Sequence, residues 1–131
     1  MTLEALSRII SSEMDTETRI EDNMVFFEIA GIELIAKKVS SGGFRIFSII
    51  HDSETSPELP DVVFLRVLND IQKDIPYTKC VLLGRDDDGT HFRICVEFQC
   101  EEDLSKVIDG YIKALMKALL RLFTELYNLT A

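Results

Sequence analysis

A chain of 131 residues, 47% of them apolar, is long enough to bury a real core and too apolar to stay disordered. Its 23 acidic against 14 basic residues leave a formal net charge of −9, and the field of such a body repels phosphate backbones and anionic lipid, so neither nucleic acid nor membrane is an expected partner. No apolar run approaches the ~18 residues of a membrane span, and residues 1–13 lack the basic start, apolar block and cleavage site of a secretory leader.

The expectation is a single domain over residues 1–131, soluble and cytoplasmic. An acidic surface keeps such a protein in solution and also suits a basic partner segment; composition does not choose between the two. Cys80, Cys95 and Cys100 form no metal-binding spacing and leave an odd count, which fits reduced thiols behaving as small hydrophobes.

Thr2 can cap a first helix over residues 3–14, where Leu3, Leu6, Ile9 and Ile10 keep helical spacing. Three extended runs follow. Residues 19–29 are rich in Val, Phe and Ile and break at Ala30-Gly31; residues 32–39 end at the turn signal Ser40-Ser41-Gly42-Gly43; residues 44–51 carry apolar side chains on both faces, as a central strand does. The polar stretch 52–60 is a loop, and Pro60 suits the first turn of a second helix. Phe64, Leu65, Leu68, Ile71 and Ile75 line one face of that helix before Pro76 stops it. Residues 77–85 and 90–100 read as a hairpin joined by Asp86-Asp87-Asp88-Gly89, with Phe92, Ile94, Val96 and Phe98 alternating against Arg93, Cys95, Glu97 and Gln99. A last helix covers residues 103–129. The order α-β-β-β-α-β-β-α, with strands joined by short turns, predicts an α+β fold in which an antiparallel sheet packs against helices.

Reactive constellations are scarce. The only histidines are His51, beside Asp52 and Ser53 at a strand end, and His91, just past a hairpin tip, and both read as structural. The Asp86–Asp88 run puts His91 where a calcium loop needs glycine, and strands rather than helices flank it. The serine-glycine turn lacks the lysine and helix of a phosphate loop. If Arg85 pairs with Thr90, Cys80 falls opposite Cys95, where an oxidant could join them, although a register slip of one residue would part them. No cofactor or metal is expected, and an enzyme built on His51 or a reactive cysteine is the weakest hypothesis.

The last helix is the informative element. Ile108, Ile112, Leu115, Leu119, Leu122, Leu126 and Leu129 recur at alternating steps of four and three, so they form one stripe. Met116, Leu120, Phe123 and Tyr127 form a second, rotated by roughly 100°. One stripe covers the chain's own sheet, and the other needs a cover. Each side chain of that set left in water forfeits roughly 1.5–3 kcal/mol, and four approach a domain's whole stability. A short first helix shields only part of it, so a symmetric homodimer is favoured. Met116, Leu120, Phe123 and Tyr127 are the expected contact residues, with the outward hairpin face, Leu82, Arg93 and Cys95, second.

With this element order, the second half resembles the YbjN-like proteins and the wider fold of type III secretion chaperones. The resemblance is carried by the proline-bounded helix ending in Leu68-Asn69-Asp70-Ile71, the strand Val81-Leu82-Leu83, the turn Asp87-Asp88-Gly89, the strand Phe92-Arg93-Ile94 and the leucine-rich helix opening at Leu104. It implies an α+β sandwich that binds protein without turnover. Secretion chaperones of this fold are small acidic homodimers that hold a cargo segment, and YbjN-like proteins are described as candidate sensory-transduction regulators. The expected function is a non-catalytic protein-binding module, chaperone- or regulator-like, acting as a homodimer on a protein partner or cargo segment. The alternative is a small-ligand sensor with a pocket between sheet and helices lined by Phe26, Phe47 and Tyr111.

Overall fold

A computed structural model describes residues 1–40, 42–55, 58–99 and 103–130; Ser41 and Cys100, used in the sequence reading, lie outside the described residues. Helix α1 (Leu3–Met14) starts where the Ala5 N–H donates to Thr2 Oγ1 at 3.1 Å and stops at Asp15, whose left-handed φ of 49° an acidic side chain tolerates. Its Leu6 and Ile10 are fully buried.

The run at residues 19–29 holds two strands rather than one. β1 (Thr18–Glu21) turns into β2 (Met24–Ile29) through Asp22 and Asn23, at φ 53° and 61°. Two consecutive positive-φ residues make the tight turn whose twist suits a hairpin, and Asp-Asn accepts it without glycine. Ala30 and Gly31 then turn the chain into β3 (Ile32–Lys38), and β4 (Phe44–Asp52) follows. Helix α2 (Asp61–Asp74) begins after Pro60, which stands as its extended cap residue, and ends before Pro76. β5 (Thr78–Asp86) and β6 (Gly89–Phe98) form the long hairpin, and α3 (Leu104–Thr130) closes the fold.

All pairings are antiparallel, in the six-stranded order β1-β2-β3-β4-β6-β5. This is the α+β architecture the sequence predicts, with β4 central as its two apolar faces imply. One sheet face carries the core: Val25 and Phe27, Leu34 and Ala36, Phe44 and Ile46, and Phe92, Ile94, Val96 and Phe98 pack with Leu6, Ile10, Phe64, Leu68, Ile71 and the first stripe of α3. These side chains sit at alternate positions, as a pleated strand requires when one face is buried.

The other face carries no helix. Register places Arg19, Phe26, Ile35, Phe47, Cys95 and Lys79 in one row across all six strands. The Arg19 guanidinium lies 4.7 Å from the Phe26 ring centre and Lys37 Nζ 5.9 Å from that of Phe47. Long cationic side chains thus lay their stems over the apolar row, and Phe47 is only 7% exposed.

The β5–β6 register corrects one sequence expectation. Arg85 pairs with Thr90 as read, but an irregularity between Leu82 and Gly84 shifts everything beyond it by one residue. Cys80 faces Ile94, and Cys95 faces Lys79. A bulge adds one residue to one strand and so exchanges its faces. Cys80 joins the core while Cys95 lies on the opposite side, so the two thiols are not the directly opposed pair considered from sequence.

Candidate functional site

The first stripe of α3 buries Leu104, Ile108, Ile112, Leu115, Leu119, Leu122 and Leu126 against sheet and helices, and Leu129 is half-buried. The second stripe divides. Met116 is half-buried against the core, whereas Leu120 is 59%, Phe123 37% and Tyr127 72% exposed. α1 and α2 both pack on α3, yet they leave these three side chains exposed. The surplus apolar surface inferred from spacing exists, with three exposed side chains instead of four.

On one side of the stripe, Phe123, Leu126 and Tyr127 wall a cleft of about 320 Å³ against Ile50, Asp52 and Glu54 at the end of β4. Asp52 Oδ1 accepts from the backbone N–H of Glu54 at 3.1 Å and of Thr55 at 3.4 Å, bending the chain out of the strand, while Oδ2 is buried with no donor among the described residues. On the other side Leu120 borders Asp74, Lys117 and Arg121. Arg121 ties α3 to α2 through Asp74 at 3.0 Å and continues to Glu125 at 3.4 Å.

The secondary candidates do not form one surface. Leu82 pairs with Phe92 and packs against the core, because the bulge turns it inward. Arg93 and Cys95 share the helix-free face, but Cys95 is 1% exposed beneath its neighbours. Arg93 Nε is buried and has no hydrogen-bond partner among the described residues. The aromatic trio of the sensor alternative does not converge either. Phe26 and Phe47 lie on the helix-free face, whereas Tyr111 of α3 stacks on Phe98 at 5.0 Å on the core side.

The two histidines meet in a way that their sequence positions do not announce. His51 and His91 face each other across β4 and β6, and their rings stack at 4.6 Å and 14°. His51 Nε2 lies 2.7 Å from the Asp88 carbonyl oxygen and His91 Nε2 lies 3.1 Å from Asp86 Oδ2, so both rings brace the β5–β6 turn. The Asp86 carboxylate is itself held below its usual range, chiefly by the backbone N–H of Asp88 and also by His91 and Gly89. Cys80 does not line the cleft that holds His51 and Asp52. Burial, helped by Cys95, pushes the Cys80 thiol up to about 12, and burial also raises Cys95 against the pull of Arg45 and Arg93. Both thiols stay protonated at neutral pH, which makes them poor nucleophiles and poor metal ligands. Among the described residues, no three His, Cys, Asp or Glu side chains gather as a metal site would require.

No protein-family model matches the sequence, and no curated protein matches it. Among solved structures, YbjN from E. coli superposes with a TM-score of 0.68 at 10% identity, over 93% of this chain and 89% of that one. The chain therefore has a YbjN-like fold, and at that identity the likeness speaks to fold alone.

Proposed function

We propose that this protein is a non-catalytic protein-binding module, chaperone- or regulator-like, that works as a homodimer. The observation that carries the reading is the line Leu120, Phe123 and Tyr127, exposed along the 27-residue helix α3 of a chain whose core is already packed beneath it. Contiguous exposed apolar groups rimmed by charge are the usual mark of a protein contact. The YbjN-like fold supports the regulator side of the reading, since YbjN is itself described as a candidate transcription regulator. Free, buried Cys80 and Cys95 agree with a reducing compartment, and we take the protein to be a single cytoplasmic domain.

Sedimentation velocity at micromolar concentration tests this reading. The native chain should sediment as a dimer, and Leu120→Glu as a monomer with unchanged far-ultraviolet circular dichroism. A native monomer would remove the homodimer, and an intact dimer in the variant would move the interface away from α3.

A further inference from the structure

We propose that the second copy packs antiparallel along α3, with the two-fold axis at Leu120 and with Lys113 of each copy reaching the aromatic, acidic cleft of the other. This rests on the homodimer reading and adds its geometry.

Lys113, Leu120 and Tyr127 are spaced seven apart, so they lie on one line of the helix with a drift of about 20° per step. The exposed face of α3 is therefore polar in a directional sense. Its first half presents Lys113 and Lys117, both exposed. Its second half presents Phe123 and Tyr127, which wall the cleft containing Asp52 and Glu54. Leu120 stands between the halves, about 10 Å along the axis from Lys113 on one side and from Tyr127 on the other.

Only one packing direction satisfies this pattern. With Leu120 on the two-fold, Tyr127 faces Lys113 of the second copy, and symmetry makes the contact twice. A parallel arrangement would set lysine against lysine and aromatic ring against aromatic ring. The cleft is suited to a cation in three ways. Neither Asp52 nor Glu54 has an ion-pair partner among the described residues, and none of those residues donates to Asp52 Oδ2, so no cation among them balances the carboxylates there. No lysine or arginine lines it, and its one histidine, His51, is engaged with the Asp88 carbonyl. The rings of Phe123 and Tyr127 offer faces on which an ammonium is attracted while its alkyl stem covers apolar surface. The 2.8 Å pair of Lys113 with Asp109 is highly exposed, so its exchange for a contact across the dimer costs little.

Cysteine cross-linking reads the register directly, because a disulfide requires Cα atoms within about 7 Å. In a background carrying Cys100→Ser, with Cys80 and Cys95 buried, Leu120→Cys should oxidise to a covalent dimer. Lys113→Cys and Tyr127→Cys should cross-link when mixed, and Lys113→Cys alone should not. Lys113→Glu should weaken association several-fold, and adding Asp52→Lys and Glu54→Lys should restore part of it. Tyr127→Ala, at an exposed position that leaves the fold intact, should also weaken it. A sedimenting dimer that fails to cross-link at position 120, or that cross-links Lys113→Cys to itself, overturns the antiparallel geometry and leaves the homodimer standing. A native monomer overturns both.

Discussion

Glu97 shows how a single charge holds the helix-free face together. Arg45 Nη2 approaches its Oε1 at 2.6 Å and Lys79 Nζ its Oε2 at 3.1 Å, so one carboxylate joins the cations of two strands. The hydrogen bond from Arg45, then that from Lys79, hold the Glu97 carboxyl below its ordinary 4.5. A depressed carboxyl adds stability that is fully present above its unfolded value and is lost as pH falls through the lower folded one. Glu97→Gln is therefore expected to cost about 1 kcal/mol at pH 7, and urea titrations should show the gap to the native chain closing below about pH 4. At this scale the sequence was legible wherever spacing alone decides burial. The leucine stripe of α3 and the alternation of Phe92 to Phe98 lie as expected. Contacts between residues distant in sequence were not legible, such as the stack of His51 on His91.

Among the elements, the β5–β6 hairpin explains what pattern reading missed. Alternation places a side chain correctly only while no residue is inserted, and Leu83 is the insertion, 46% exposed and outside the pairing. Nothing marks it in composition, since Leu82-Leu83 reads as any strand interior. The proposed outward position of Leu82 followed from that hidden shift. Deleting Leu83 should join Leu82 to Gly84 while keeping both flanking registers, so thermal unfolding should move by no more than about 1 kcal/mol. A collapse of the fold would show that the bulge is required. The division of β1 from β2 was a milder omission. Asp22-Asn23 is a turn signal with a mechanism, yet it sits inside a run of β-formers that reads as continuous. α3, by contrast, was readable almost entirely, because 27 residues of helical periodicity outweigh any local ambiguity.

For the molecule as a whole, a six-stranded sheet with all its helices on one side gives two faces of different character. The helix side buries a complete core, and α3 adds an exposed apolar line beyond it. Charge is organised on the same scale: the chain carries −9, while the exposed first half of α3 carries Lys113 and Lys117. If association buries that line, unfolding becomes linked to assembly. The unfolding temperature of the native chain should then rise with protein concentration, and that of Leu120→Glu should stay constant; scanning calorimetry over a hundredfold range separates the two. Added salt should lower the native value toward that of the variant, because part of the contact is ionic.

The rim of the sheet carries its own consequence. The Cys80 N–H, which points away from β6, donates to Gln72 Oε1 of α2 at 2.8 Å, and Arg85 anchors the neighbouring loop through the Leu59 carbonyl. At the far rim β1 is four residues long and charged at Arg19 and Glu21. Lateral growth by one more ribbon of backbone, the route by which open sheets polymerise into fibrils, meets a helix on one border and a short ionic stub on the other. A partner of the proposed kind would then be recognised through the shape and charge of side groups rather than by strand addition.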